Sequence, residues 1–216
     1  MRVVLTSDIH CRFKQLERLL PEADLLLIAG DLTFCGRPDE IRDLRAAVDR
    51  WLQKVGEVIL TPGNHDWHMG DQAARAALDN CTILVDELVE RQGIKIYGTP
   101  WQPDFCDWAY NLPRGPALAA KWALIPEGLD VLLVHGPPRG LGDSSPGVCR
   151  DVGCEDLLAR LQEMREPPRH VVYGHIHGGY GRYSLGRSQL YNVSFCDEGY
   201  KGVNPPVLLE LTCQTR

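Results

Sequence analysis

Short runs of apolar, largely β-branched residues recur along the chain at 3–5, 25–29, 58–60, 94–97, 131–134, 171–173, 190–193 and 207–211. Runs this short and mostly continuous predict buried strands. Between the early runs the spacing changes. Ile41, Leu44, Val48, Trp51, Leu52 and Val55 fall three and four apart, which makes one apolar helical face, and Pro38 stands where a helix start tolerates proline. Beyond Val171 the strand signals crowd together through Gly- and Tyr-rich turns with no helical stretch, which predicts antiparallel pairing there. The pattern is that of an α/β fold of mixed character. Residues 136–153, with Pro137, Pro138 and several glycines, form the loopiest stretch, and no repeat or linker divides the chain, so residues 1–216 read as one domain.

Composition narrows the function classes. At 216 residues, 44% hydrophobic and 24% charged, the chain can bury a sizeable core. No apolar run reaches membrane-spanning length and the N-terminus opens on a strand-like run without a signal pattern, so a soluble cytoplasmic protein is expected. A net charge of −6 without a Lys/Arg track disfavours a nucleic-acid partner and leaves room for a small phosphate ester. Eight cysteines without tight CxxC spacing read as reduced thiols.

The chemistry sits where the strands end. Asp8 and His10 follow the first run, Asp31 the second, and Asn64, His65 and Asp66 the third; His135 and the pair His175 and His177 follow two later ones. Ligands gather beyond the carboxyl ends of strands in α/β sheets, so these junctions aim at one place. Taken singly each residue has a plain role: Asp8 or Asp31 as a helix cap, Asn64 as a turn former, a lone histidine as a hydrogen-bonded core residue. Yet of the seven histidines only His68 and His170 lie elsewhere, a distribution that favours a shared site. Mixed imidazole, carboxylate and amide donors suit manganese, iron or zinc, whereas magnesium and calcium sites are built from oxygen. Two neighbouring cations need a bridging anion, and Asp31 is the candidate.

These pieces, D-x-H from Asp8, G-D at Gly30-Asp31, G-N-H-D from Gly63, His135, and G-H-x-H from Gly174, stand in the order that resembles the calcineurin-like metallophosphoesterase family. The resemblance implies a four-layer sandwich, two mixed β-sheets flanked by α-helices. It implies two divalent metal ions, one held by Asp8, His10, Asp31 and His177 and the other by Asp31, Asn64, His135 and His175, with His65 left for catalysis. A narrower likeness, carried by Gly98-Thr99-Pro100-Trp101-Gln102-Pro103, the segment from Phe105 to Asn111 and His135-Gly136-Pro137-Pro138, is to the small MPPED-type members and the related class III cyclic nucleotide phosphodiesterases.

The expected reaction is direct hydrolysis of a phosphodiester, cyclic nucleotides included, by a hydroxide bridging the metals, with His65 donating a proton to the leaving oxygen or steadying the phosphate. Phosphomonoester or phosphoprotein hydrolysis is the second expectation and a nuclease the third, for want of a basic track, while a binding scaffold without chemistry is the alternative of a different class. Around this core the assignments divide. Asp66 serves as a partner of an imidazole or as a turn former; the aromatic segment 101–111 forms a wall for a nucleobase or packs as core; Arg139 contacts phosphate or stays solvated. Cys11 and Cys35 adjoin ligands and are expected to be structural rather than metal-bound.

Overall fold

The computed structural model describes residues 1–212. Its first half runs β1 (Arg2–Thr6), α1 (Phe13–Leu19), β2 (Ala23–Ala29), α2 (Pro38–Trp51), β3 (Val55–Thr61), α3 (Gln72–Ala77) and the short β4 (Thr82–Ile83). There follow β5 (Glu87–Arg91), β6 (Ile94–Thr99), a small pair β7 (Gln102–Pro103) and β8 (Asn111–Leu112), α4 (Pro116–Trp122) and β9 (Val131–Val134). The chain continues through α5 (Glu155–Glu163), β10 (His170–Tyr173), β11 (Gly181–Leu185), β12 (Ser188–Asn192) and β13 (Val207–Glu210).

The strands form a sheet of order β13-β1-β2-β3-β4, a second of order β11-β12-β10-β9-β6-β5, and the separate β7-β8 pair. Side-chain alternation explains why the runs are apolar on both faces. Val3, Leu5, Leu25, Leu27 and Ile59 of the first sheet meet Ile94, Ile96, Val131, Leu133 and Val172 of the second. Their neighbours Val4, Leu26, Ile28, Val58 and Leu60 turn outward onto Leu16 of α1 and Leu44 and Trp51 of α2. On the far side Tyr97, Leu132, Val134, Val171 and Tyr173 face Leu118 and Trp122 of α4 and Leu157 and Leu161 of α5. The result is the expected four layers, helix, sheet, sheet, helix.

Helix α2 begins at Pro38, as expected, and Glu40 Oε2 accepts from the backbone N–H groups of Cys35 (3.1 Å) and Arg37 (3.0 Å). It ends at Trp51 with Leu52 as its cap, so Val55, which continues the helical spacing, instead opens β3 beside Ala23. The C-terminal pairing is also mixed: β11 and β12 are antiparallel, but β12 lies parallel to β10, because β11 passes outside β12 to the sheet edge. The seven described cysteines are unpaired, and Cys213 lies outside the described residues. No described helix is long and apolar enough to cross a membrane.

Candidate metal centre

The loops after β1, β2, β3, β9 and β10 converge at one end of the two sheets, and they bring together all seven expected ligands. The loop after β1 zips onto the loop after β2 through Asp8 N–H to Gly30 C=O (2.9 Å) and His10 N–H to Asp31 C=O (3.0 Å). The two sheets touch here as well, through a parallel bridge between Ser7 and Ser194. To point their side chains inward, Asp8 (φ 51°), His10 (φ 43°), Cys11 (φ 60°), Asp31 (φ 54°) and His175 (φ 67°) all take the left-handed conformation, which non-glycine residues seldom adopt. Two glycines are required by closeness rather than by turn geometry: a Cβ on Gly63 would strike the Asp31 carboxylate, and one on Gly174 would strike Asp8 and Ser7.

Donor atoms fall into two groups joined by Asp31. On one side His177 Nε2 lies 3.3 Å from Asp8 Oδ1 and 3.3 Å from His10 Nε2. On the other, Asn64 Oδ1 lies 2.9 Å from both His135 Nε2 and His175 Nδ1. Asp31 gives one oxygen to each, Oδ2 at 3.8 Å from His10 Nε2 and Oδ1 at 3.4 Å from His135 Nε2. Donors sharing a zinc-sized ion at bond lengths near 2.1 Å stand roughly 3.0–3.5 Å apart, so separations of 2.9–3.8 Å bring the set within small adjustments of holding cations. Tautomers fit too: His135 Nδ1–H donates to the Ala29 carbonyl and His177 Nδ1–H to that of Asp197, each at 2.8 Å, which leaves the Nε2 lone pairs facing inward. His10 has no such partner on Nδ1 and is held by ring contacts with Tyr200 (4.7 Å) and Phe34 (5.4 Å).

Electrostatics follow from burial. Burial alone would raise Asp8, but the His177 contact and the charges of His177, His135 and His10 hold it far below the ordinary carboxylate range. Burial likewise opposes the ionised form of Asp31, and His135 and His10 overcome it. Burial would lower His135 and His177; Asp31 pushes the first, and Asp8 the second, up to about 9. Burial lowers His10 to about 4, and burial with the charge of His135 lowers His175 to about 3. Without metal the cage therefore balances two carboxylates against two imidazoliums.

The flanking residues sort themselves out. The backbone N–H of His65 donates to Asp31 Oδ1 (2.9 Å), and its ring Nδ1–H meets the Phe34 carbonyl (2.9 Å), which leaves Nε2 as the ring nitrogen not held by that carbonyl. Its ring stacks on Trp108 with centroids 4.2 Å apart. Asp66 touches no imidazole: its Oδ1 accepts from Thr33 N–H (2.9 Å) and Oγ–H (2.8 Å), and its Oδ2 from Leu32 (3.1 Å) and Gly63 (2.9 Å) N–H groups. It is the rivet between the loops that carry Asp31 and Asn64, and burial with the charge of Asp31 pushes its carboxyl up to about 6. Cys11 is pushed up to about 12 by burial and by Glu40, and Cys35 is exposed; neither belongs to a metal-competent cluster among the described residues. Arg139 pairs with Glu155 at the surface rather than reaching the site.

Above the cage lies a cavity of about 420 Å³ whose walls include Phe105, Trp108, Val148 and Tyr200. Trp101 is turned away from it, its indole N–H on Asp86 (2.9 Å) and its ring covered by Lys121, so the aromatic segment splits into an anchor and a wall. Tyr200 and Glu198, which also line the cavity, come from a turn beyond the last sequence motif; its only signal is the Asp-Glu-Gly composition at 197–199, shortly after β12.

The family described as Calcineurin-like phosphoesterase matches residues 1–179. The chain belongs to that family. This calcineurin-like phosphoesterase is 38% identical over 237 residues to the human metallophosphoesterase domain-containing protein 1, covering 97% of the chain and 71% of that protein. It is 35% identical to the UPF0046 protein T07D4.2 of Caenorhabditis elegans, covering 89% of the chain and 55% of that protein. Among solved structures, TT1561 of Thermus thermophilus aligns with a TM-score of 0.58 at 16% identity over 88% of each chain. A structure titled as a putative 5'-nucleotidase from Staphylococcus aureus aligns with a TM-score of 0.54 at 14% identity, covering 100% of this chain and 55% of that one. These two likenesses are of fold alone. Membership makes the phosphoesterase a hydrolase of phosphate esters that works with divalent metal ions.

Proposed function

We propose that this phosphoesterase is a dinuclear enzyme for a phosphodiester of nucleotide size. Asp8, His10, Asp31 and His177 hold one ion, and Asp31, Asn64, His135 and His175 the other, with manganese, iron or zinc as the suited metals. The division of the two Asp31 oxygens between the groups, 3.8 Å from His10 and 3.4 Å from His135, carries this reading. When bound, the ions lower the pKa of a water towards neutrality and offset charge on the phosphate oxygens. Asp31 and Asp8 supply the anionic charge that keeps the cations together. His65, fixed by the Phe34 carbonyl and the Trp108 face, delivers a proton from Nε2 to the leaving oxygen.

The cavity supports a monoanionic diester over a dianionic monoester. Arg114 is its one arginine or lysine among the described wall residues, and its guanidinium is engaged by Glu155 and by the carbonyls of Val152 (2.7 Å) and Gly153 (2.8 Å), while Asp104 and Glu198 also line it. Phe105, 59% exposed at the rim, offers a face for a nucleobase. The unpaired cysteines support work in the reducing cytoplasm.

The test is to strip the protein, reload it separately with manganese, iron, zinc or magnesium, and compare a nitrophenyl phosphate monoester with a bis-nitrophenyl diester. Diester turnover should lead. Faster monoester turnover with every metal overturns the substrate class, and absence of both bound metal and turnover leaves a scaffold.

A further inference from the structure

Asn192 ends β12 at 0% exposure and appears in no sequence motif. Its carboxamide nitrogen donates to the Ile176 carbonyl (2.8 Å) and the Gly142 carbonyl (3.1 Å), with the Gly174 carbonyl at 3.5 Å. Ile176 and Gly174 flank His175, whose left-handed backbone (φ 67°) is costly to maintain. Gly142 belongs to the 136–153 loop, which contributes Val148, Cys149 and Val152 to the cavity wall. The carboxamide oxygen accepts from Ser194 N–H at 3.1 Å. Ser194 Oγ lies 2.9 Å from Asp8 Oδ2, which Ser7 Oγ also reaches at 2.6 Å. Ser194 Oγ is equally 2.9 Å from Asn192 Oδ1, but its single proton favours the ionised carboxylate. His175 N–H reaches both Asp8 oxygens (3.1 Å to Oδ1, 3.0 Å to Oδ2), so the two hydroxyls on Oδ2 are what distinguish it from Oδ1, the oxygen that faces His177.

We propose that Asn192 is a positioning residue for both ions and for the substrate loop: one carboxamide clamps the backbone around His175, ties the 136–153 loop to it, and through Ser194 fixes which Asp8 oxygen enters the cage. This rests on the dinuclear reading above. A buried amide is suited to the task because it presents donors and an acceptor at once without adding charge beside two cations. Alanine leaves the Gly142 carbonyl without its donor and strips the side-chain tie from Ile176, whose carbonyl keeps only Gly179 N–H (2.9 Å), so the metal-binding loop is free to relax its strained turn.

The experiment is cobalt(II) titration of the metal-free full chain, followed by visible spectroscopy and chelator competition, on wild type, Asn192→Ala and Ser194→Ala. In Asn192→Ala the ion associated with His175 should bind about 10- to 100-fold more weakly, with a changed cobalt band, in protein whose circular dichroism matches wild type. KM for the diester should rise along with it, since the same amide holds the cavity loop. Ser194→Ala, which keeps the clamp on Ile176 and Gly142, should weaken the ion on the Asp8 side and leave KM at saturating metal unchanged. Matching cobalt spectra and affinities for wild type and Asn192→Ala overturn the proposal. If Asn192→Ala does not fold, Ser194→Ala decides, and wild-type affinities there overturn it. Failure of wild type to bind cobalt overturns the dinuclear reading itself.

Discussion

Loading the metal-free cage with cations must expel protons, and the number is set by the residues that hold them. His135 and His177 both rise to about 9, each against its own burial, through Asp31 and Asp8 respectively. At pH 7.5 a group with a pKa of about 9 is about 97% protonated, so each imidazole must give up a proton before its Nε2 can serve as a ligand. That costs about 2 kcal/mol per histidine, or roughly 4 kcal/mol for the pair, which lowers the product of the two binding constants about a thousandfold relative to pH values above 9. His10 and His175 are lowered by burial to about 4 and about 3 and add nothing at this pH. Calorimetric titration of manganese in buffers of different ionisation enthalpy counts the protons. About two should leave from the imidazoles per pair of ions at pH 7.5, in addition to any proton given up by metal-bound water, and from the imidazoles alone the affinity product should climb about a hundredfold per pH unit between 7 and 8. The same shifts give a second readout. Because the folded pKa values lie above the unfolded value, their stabilisation of the metal-free protein is fully present below about pH 6.5 and disappears as pH rises through 9. Proton release near zero at pH 7.5, with affinity independent of pH, refutes the description of the empty cage as two carboxylates neutralised by two imidazoliums.

Three further outcomes are expected. Replacing His65 with Ala should lower kcat by about 10²- to 10⁴-fold while two ions remain bound by elemental analysis; loss of an ion with the side chain makes His65 a ligand instead. Asp66→Ala strands the three N–H groups and one hydroxyl that converge on that carboxylate, at a cost of about 3–5 kcal/mol, so the thermal midpoint should fall by about 6–20 °C; a shift under 2 °C removes Asp66 as the rivet between the Asp31 and Asn64 loops. Phe105→Ala should raise KM for a nucleoside diester by about 5- to 100-fold and leave that for a dialkyl phosphate unchanged, and an equal change in both shows that the ring does not stack on the base.

All eight apolar runs became strands, and the reason is physical: in a sandwich covered by helices a central strand has no wet face, so its sequence is a continuous apolar block. Five strands escaped notice: β4, β7 and β8 are two residues each, and β5 and β11 lie at the two edges of the second sheet, where Glu87, Leu88 and Glu90 are exposed in the one and Arg182 and Ser184 alternate with partly buried positions in the other. Val55 kept a helical rhythm past the end of α2 because register along a helix and the opening of the next strand happened to coincide, and the turn at Gln53 and Lys54 has no glycine or proline to mark it. The proposed ligands were legible because each follows its strand closely, so linear order stands in for position. Asn192, Ser194 and Tyr200 were not, because their roles arise only when β12 is laid against β10 and its end meets β1 across the sheet boundary, an arrangement with no local signature.

The left-handed turns at Asp8, His10, Asp31 and His175 set the folding of this molecule against its chemistry. Each such residue costs about 1–3 kcal/mol that glycine would largely recover. Removing Asp8 or Asp31 would also end the burial of a carboxylate. Screens that reward heat resistance alone should therefore drift towards glycine at the ligand positions and return sturdier proteins that hydrolyse nothing. Durable variants with intact turnover will have to draw their gains from the outer helical layers, where no side chain is held in an unfavourable shape for the sake of a metal.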